Sequence, residues 1–119
     1  MPLLATDKQL AQQQLTTTGA TKIYTCPDQR TVTYVKYFAI ANTSAAAVTV
    51  SVWINQNGTS TGDQFALFKS MSVSANVTNQ YIYTNAPLVL FGANASIMAQ
   101  ASSASTITLH LHGTEVVET

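Results

Sequence analysis

Val48-Thr49-Val50-Ser51-Val52-Trp53-Ile54-Asn55 is the stretch whose reading decides the fold class. Val48, Val50, Val52 and Ile54 alternate with Thr49, Ser51, Trp53 and Asn55. Successive side chains of a strand point to opposite faces, so this period of two marks a β-strand with one buried side. A helix would space its apolar residues three and four apart. The alternation returns near the C-terminus, where Ile107, Leu109 and Leu111 are interleaved with Thr106, Thr108, His110 and His112. Both read as half-buried strands whose second side meets water or another chain.

Outward from these two stretches, Thr, Val, Ile, Tyr and Phe dominate the chain after residue 14, and Gly, Pro, Asn and Ser clusters separate the runs. Strands are expected at about 21–26, 31–42, 47–56, 64–71, 78–84, 87–91, 95–101 and 106–117, with residues 14–18 a candidate for one more. In 64–71, Phe65, Leu67 and Met71 share a face with Lys69, so that strand reaches solvent near its end. In 31–42, Val32, Tyr34, Phe38 and Ile40 lie on one face and Val35, Tyr37, Ala39 and Ala41 on the other. A strand apolar on both sides is central and covered twice, the second cover coming from the N-terminal segment or from a neighbouring subunit. Asn42-Thr43-Ser44-Ala45 and Ser102-Ser103-Ala104-Ser105 read as hairpin turns, and Asn57-Gly58 is a turn signal inside the longest loop, residues 55–63.

Seven to nine short strands separated by turns predict an all-β protein, a single antiparallel β-sandwich of jelly-roll-like form over residues 15–119. Residues 1–14 stand apart as an N-terminal arm. Thr6-Asp7-Lys8-Gln9 fits a capping box before Leu10 and so a single helical turn, while Ala11-Gln12-Gln13-Gln14 has no usable period. Such a segment either frays or orders against a partner.

The chain has 119 residues, the size of one domain. Hydrophobic residues make up 46% but charged ones only 8%, against roughly 25% in ordinary proteins. Thr, Ser, Asn, Gln and Ala replace them. A surface of short polar side chains has little desolvation to overcome when it meets another protein, whereas a free monomer keeps charge to resist association. The formal net charge is zero, and Lys8, Lys22, Arg30, Lys36 and Lys69 are scattered. No basic patch for nucleic acid or acidic lipid results. Met1-Pro2-Leu3-Leu4-Ala5-Thr6-Asp7 lacks the basic start and apolar run of a signal peptide, and no stretch approaches the roughly 20 apolar residues of a membrane span.

Residues that could carry chemistry are few. Cys26 is the single cysteine and reads as a small buried residue, since the histidines that could activate it lie far along the chain. His110 and His112 project from one strand face and are the metal candidates, but two ligands fall short of the four of a structural zinc site. No metal or cofactor is expected. Asp7, Asp28, Asp63, Glu115 and Glu118 are dispersed, so no carboxylate pair suggests itself, and no phosphate loop or nucleophile elbow occurs. The chain therefore reads as a non-enzyme. Four Asn-x-Ser/Thr sequons, at Asn42, Asn57, Asn76 and Asn94, follow from a composition rich in those residues. Trp53 alternates outward with Thr49 and Ser51, and these three with Tyr37 are the expected interface residues. Trp53 could equally stack on a sugar, as could Tyr81 and Tyr83, which makes a glycan-binding module the alternative from another class. A cover over Trp53 by the N-terminal segment is a third reading.

Leu15-Thr16-Thr17-Thr18-Gly19-Ala20-Thr21-Lys22-Ile23-Tyr24-Thr25-Cys26-Pro27 resembles the opening strands of small β-sandwich virion proteins of tailed bacteriophages. Val35-Lys36-Tyr37-Phe38-Ala39-Ile40-Ala41-Asn42-Thr43-Ser44, Ala47-Val48-Thr49-Val50-Ser51-Val52, Ala86-Pro87-Leu88-Val89-Leu90 and Ala95-Ser96-Ile97 continue the pattern, so that it covers most of residues 15–117. Cys26 stands where that type has an aliphatic residue before the proline, and Phe91-Gly92-Ala93-Asn94 where a more acidic turn is common. The resemblance implies a virion structural protein, a capsid decoration (cement) subunit or else a neck, tail or fibre component. It implies synthesis in the host cytoplasm and assembly as a homotrimer or ring. The implied partners are the major capsid protein or other virion proteins, with no nucleic acid or membrane. In some phage spikes and fibres a His-x-His pair binds iron on a three-fold axis, which is the form a metal role for His110 and His112 would take.

Overall fold

Val48, Val50 and Val52 are buried on one strand, with Thr49 exposed between the first two, so the alternation is realised in space. The computed structural model describes residues 3–56, 58, 61–83 and 85–118. The Asn57 sequon and the Asn57-Gly58 turn involve a residue outside these. Nine strands form: β1 (Leu3–Gln14), β2 (Thr21–Thr25), β3 (Thr31–Asn42), β4 (Val48–Asn55), β5 (Ala66–Val73), β6 (Thr78–Ile82), β7 (Leu88–Phe91), β8 (Ser96–Ala101) and β9 (Ile107–Glu118). One 3-10 turn, Asp63–Phe65, precedes β5.

All pairings are antiparallel and fall into two sheets. The first has the order β1-β9-β3-β6, with β7 also paired to β3; the second has the order β2-β8-β4-β5. With β6 and β7 sharing one position beside β3, each sheet is four positions wide and the chain shuttles between them. This is the jelly-roll arrangement. The core between the sheets is built from Phe38, Ile40, Leu109 and Leu111 on one side and Val50, Val52, Ile97 and Ala99 on the other, with Leu15 and Leu90 closing it. Each large apolar side chain so buried contributes roughly 1.5–3 kcal/mol. Cys26 is free and buried, so no disulfide braces the sandwich.

The structure corrects four local readings. Residues 43–47 and 102–106 do not close hairpins: β3 and β4, and likewise β8 and β9, belong to different sheets. Asn42 makes the first of these corners. Its buried Nδ2 donates to the carbonyls of Ala46 at 2.9 Å and Val73 at 3.0 Å, and its Oδ1 accepts the Ser44 N–H at 2.9 Å. Strand β3 carries a bulge, because its pairing with β9 passes from Val35–Gly113 to Tyr37–His112 and leaves Lys36 over. An extra residue inverts the alternation beyond it. Val35, Phe38 and Ile40 therefore share the core face, while Val32, Tyr34, Tyr37, Ala39 and Ala41 share the outer one. In β5 the left-handed Ser70, with φ 50°, does the same. Phe68, Met71 and Val73 pair with Val52, Val50 and Val48, in place of a face shared by Phe65, Leu67 and Met71.

The fourth concerns residues 3–14. No helical turn forms at Thr6–Gln9 and no strand spans 14–18; the segment is a twelve-residue edge strand on β9. Backbone pairing with β9 gives its N–H and C=O groups an alternative to helix that a Gln-rich segment with no apolar stripe accepts. Residues Leu4 to Gln9 are exposed on both faces of this strand.

Candidate interaction surfaces

Three parts of the molecule concentrate polar or unsatisfied groups: an internal network, the outer face of the second sheet and the outer face of the first. The network starts at Glu115 on β9, which faces inward and is buried. Its Oε1 accepts from Lys8 Nζ of β1 at 3.0 Å, and its Oε2 accepts from the Tyr24 hydroxyl of β2 at 2.6 Å. Thr33 Oγ1 of β3 lies 2.7 Å from the same phenol oxygen, and Cys26 Sγ donates to the Thr31 carbonyl at 3.2 Å. One carboxylate thus ties together the edge strand, β2 and β9. The links from Lys8 through Glu115, Tyr24 and Thr33 to Cys26 are all hydrogen bonds, so the network fastens these strands to one another.

Burial, reinforced by the hydrogen bond to Glu115, raises the Tyr24 phenol well above the ordinary value of 10.0. A group whose folded pKa exceeds its unfolded one stabilises the fold while protonated. That stability is complete below about pH 10 and is lost as pH rises past it. The unfolding midpoint of the wild type is therefore expected to fall more steeply above pH 10 than that of Tyr24→Phe. At pH 7 the variant should be about 1 kcal/mol less stable. Urea denaturation at several pH values checks this, and parallel pH profiles would refute it.

On the outer face of the second sheet, Thr49 and Ser51 line a shallow polar groove with Thr18, Ser70, Gln100 and Ser102. Its polar groups are used within the chain: Ser51 Oγ accepts the Ser70 N–H, and Ser102 Oγ accepts the Thr49 N–H. Trp53 is on this outer side, opposite Met98 and in step with Ser51. It is nevertheless only 4% exposed. Its ring has almost no surface left for a sugar or a partner. Its Nε1 has no hydrogen-bond partner among the described residues. Tyr81 and Tyr83 are half-buried, and the Tyr81 hydroxyl donates to Met71 Sδ at 2.8 Å.

The outer face of the first sheet differs in character. Across β1, β9, β3 and β6 the register sets Gln9, His112, Tyr37 and Ile82 in one row. Together with Asp7 and Lys36 they line an open groove of about 580 Å³. Tyr37 meets His112 edge to face, ring centroids 5.7 Å apart. Further along, Val32 pairs with Phe91 and Tyr34 with Val89, so apolar side chains continue over β3 and β7. Ile82 is 67% exposed and Phe91 57%. The inverted phase after Lys36 is what brings Tyr37 onto this face, and a strict period-two reading of β3 hides the patch.

His110 is half-buried and His112 exposed, both on the outer side of β9 as the spacing predicts. Among the described residues, no three His, Cys, Asp or Glu side chains gather where a metal could be held.

No family model and no curated protein sequence matches the chain. Solved structures do. The VLP of the extra small virus of the giant freshwater prawn Macrobrachium rosenbergii is similar at a TM-score of 0.54 with 8% identity, over 100% of this chain and 82% of that one. The coat protein of tobacco streak virus is similar at 0.48 and 10% identity, over 98% and 86% of the two chains. The VP2 subviral particle of infectious bursal disease virus is similar at 0.48 and 11%, and there the chain covers 97% of itself but 32% of the neighbour. At such identities the likeness is one of fold alone, an antiparallel jelly-roll β-sandwich.

Proposed function

We propose that this chain is a virion structural protein of a tailed bacteriophage, a capsid decoration subunit that acts by adhesion and catalyses nothing. The observation that carries the reading is the uncovered apolar face of the first sheet. Contiguous exposed apolar surface on a small protein marks a place where another protein sits. The likeness of fold to a viral VLP protein supports a coat-type role, and the 8% charge content supports dense packing against neighbours. Many modest contacts repeated around a closed shell add to a large total, which is how a weakly charged subunit can stabilise a head. In this reading Tyr37, Thr49 and Ser51 contact neighbouring chains.

Immunogold labelling of the phage particles, with antibody raised against this chain, tests the proposal. Gold spread over the heads is the expected result. Gold confined to the neck or tail would replace decoration by a ring or fibre role. Unlabelled particles, with the chain also missing from their mass spectrum, would refute a virion role altogether.

A further inference from the structure

We infer that the outer face of the β1-β9-β3-β6/β7 sheet is a two-fold pairing surface whose occupant is a second copy of this chain. The inference deepens the adhesive reading above, since it names one partner and the face that holds it.

Size comes first. Four strand positions spaced about 4.8 Å apart span roughly 19 Å, and twelve residues at about 3.3 Å each span roughly 40 Å. The face therefore offers roughly 760 Å², close to the roughly 800 Å² per partner of a stable interface. Sheets pack face to face readily, about 10 Å apart, when apolar side chains occupy the facing surfaces. Val32, Tyr34, Tyr37, Ile82, Val89 and Phe91 supply them here.

Charge then selects the partner. Asp7 on β1 and Lys36 on β3 flank β9 from opposite sides in the same groove. Among the described residues the ion pairs are Lys8–Glu115 and Lys69–Asp63, so neither Asp7 nor Lys36 has an ionic partner there. Asp7 accepts a hydrogen bond from the Thr114 hydroxyl, and among the described residues Lys36 makes no side-chain hydrogen bond. A two-fold axis running between β9 and β3, in the plane of contact, lays β1 of each copy over the β6/β7 position of the other and β9 over β3, so that all four positions are covered. Asp7 of one copy then lies one strand aside from Lys36 of the other, within reach of a lysine side chain, twice over. A self-complementary patch of this kind defines an isologous contact. The zero net charge means that two copies approach without long-range repulsion. The pairing is two-fold; a trimer or ring would need a second contact.

Sedimentation equilibrium of the full-length chain, with circular dichroism to confirm folding, tests this. The wild type is expected to form dimers. Ile82→Glu, which places a charge on β6 against β1 of the other copy, should raise the dissociation constant at least about 100-fold. Asp7→Lys and Lys36→Asp alone should each raise it about 10-fold, and the two together should bring it back to within about threefold of wild type. A wild type monomeric at every concentration, or a double reversal no better than either single one, would overturn the surface. The two proposals fail separately. Virions that carry the chain while the reversals have no effect would leave the decoration role standing, and dimers that obey the reversals without any chain in virions would leave the surface standing.

Discussion

Alanine in place of Gly113 is expected to cost about 3 kcal/mol or more, enough to unfold a large part of the population in mild denaturant. Gly113 is buried in β9, between β1 and β3, opposite Val35. A Cβ there would lie 1.9 Å from the carbonyl oxygen of Tyr34 and 3.1 Å from the Val35 Cα. Both obstacles are backbone, so no rotamer change relieves them. The closeness arises where β3 bulges: the extra residue Lys36 pushes the strand out of its pleat and brings its main chain onto β9. Strand β9 cannot retreat, because β1 is paired along its other edge. Urea denaturation followed by the fluorescence of the single tryptophan, Trp53, measures the loss. Gly19→Ala is the internal control, since its nearest neighbour would be 3.9 Å away; it should stay within about 0.5 kcal/mol of wild type. A Gly113→Ala protein within 1 kcal/mol of wild type would show that the two strands can part cheaply, which contradicts the pairing described above.

That glycine also shows where the sequence stops being readable. The clean alternations of β4 and β9 put Val48, Val50, Val52, Ile107, Leu109 and Leu111 in the core, and all six are buried. The eight strands expected from residue 21 onward recur within about two residues. Strands are local, and their period and turn residues are written in neighbouring positions. Bulges are not. Lys36 and Ser70 carry no local mark, yet each inverts the faces of the residues beyond it, because a bulge is set by the partner strand. The corners at 43–47 and 102–106 have hairpin-like composition although they lead between sheets, since a turn sequence does not encode which sheet receives the next strand. Trp53 faces outward as its alternation says, yet it is buried, which period-two spacing alone does not foretell. Of the four expected interface residues, Tyr37 lies in the candidate groove of the first sheet, and Thr49 and Ser51 line the polar groove of the second. Asp7, Lys36, Ile82 and Phe91 had no signal of their own, because four separate strands bring them to one face.

Truncating Phe38 to alanine is expected to cost about 3–5 kcal/mol. The whole fold is worth about 0.05–0.15 kcal/mol per residue, so this single change removes a large fraction of it. Phe38 is fully buried at the middle of β3, level with Leu111 on one side and Tyr81 on the other. Its ring meets Phe68 of the opposite sheet at 6.3 Å and 75°, and Phe68 in turn meets Tyr81 at 4.6 Å. The three rings bridge the two sheets along the flank carrying β5 and β6. Edge-to-face contacts of this kind add to the burial of the rings themselves. Alanine leaves a cavity lined by Phe68 and Leu111, too apolar to hold water well, and the strands around it are fixed by pairing on both sides. Phe38→Leu should therefore recover more than half of the loss. Thermal unfolding measures both variants, and a shift of less than a few degrees for Phe38→Ala would mean that the sheets collapse onto the gap. The variant also separates core from surface. Nothing on the outer face of the first sheet touches Phe38's inner side, so Phe38→Ala, kept cold enough to stay folded, should associate like the wild type. Ile82→Glu should do the reverse, losing its partner yet melting at the wild-type temperature when both are measured dilute enough to be monomeric. A Phe38 variant that loses association in step with stability would show that the pairing face is shaped by the core beneath it, and the two-fold surface would then have to be sought among residues whose positions Phe38 fixes.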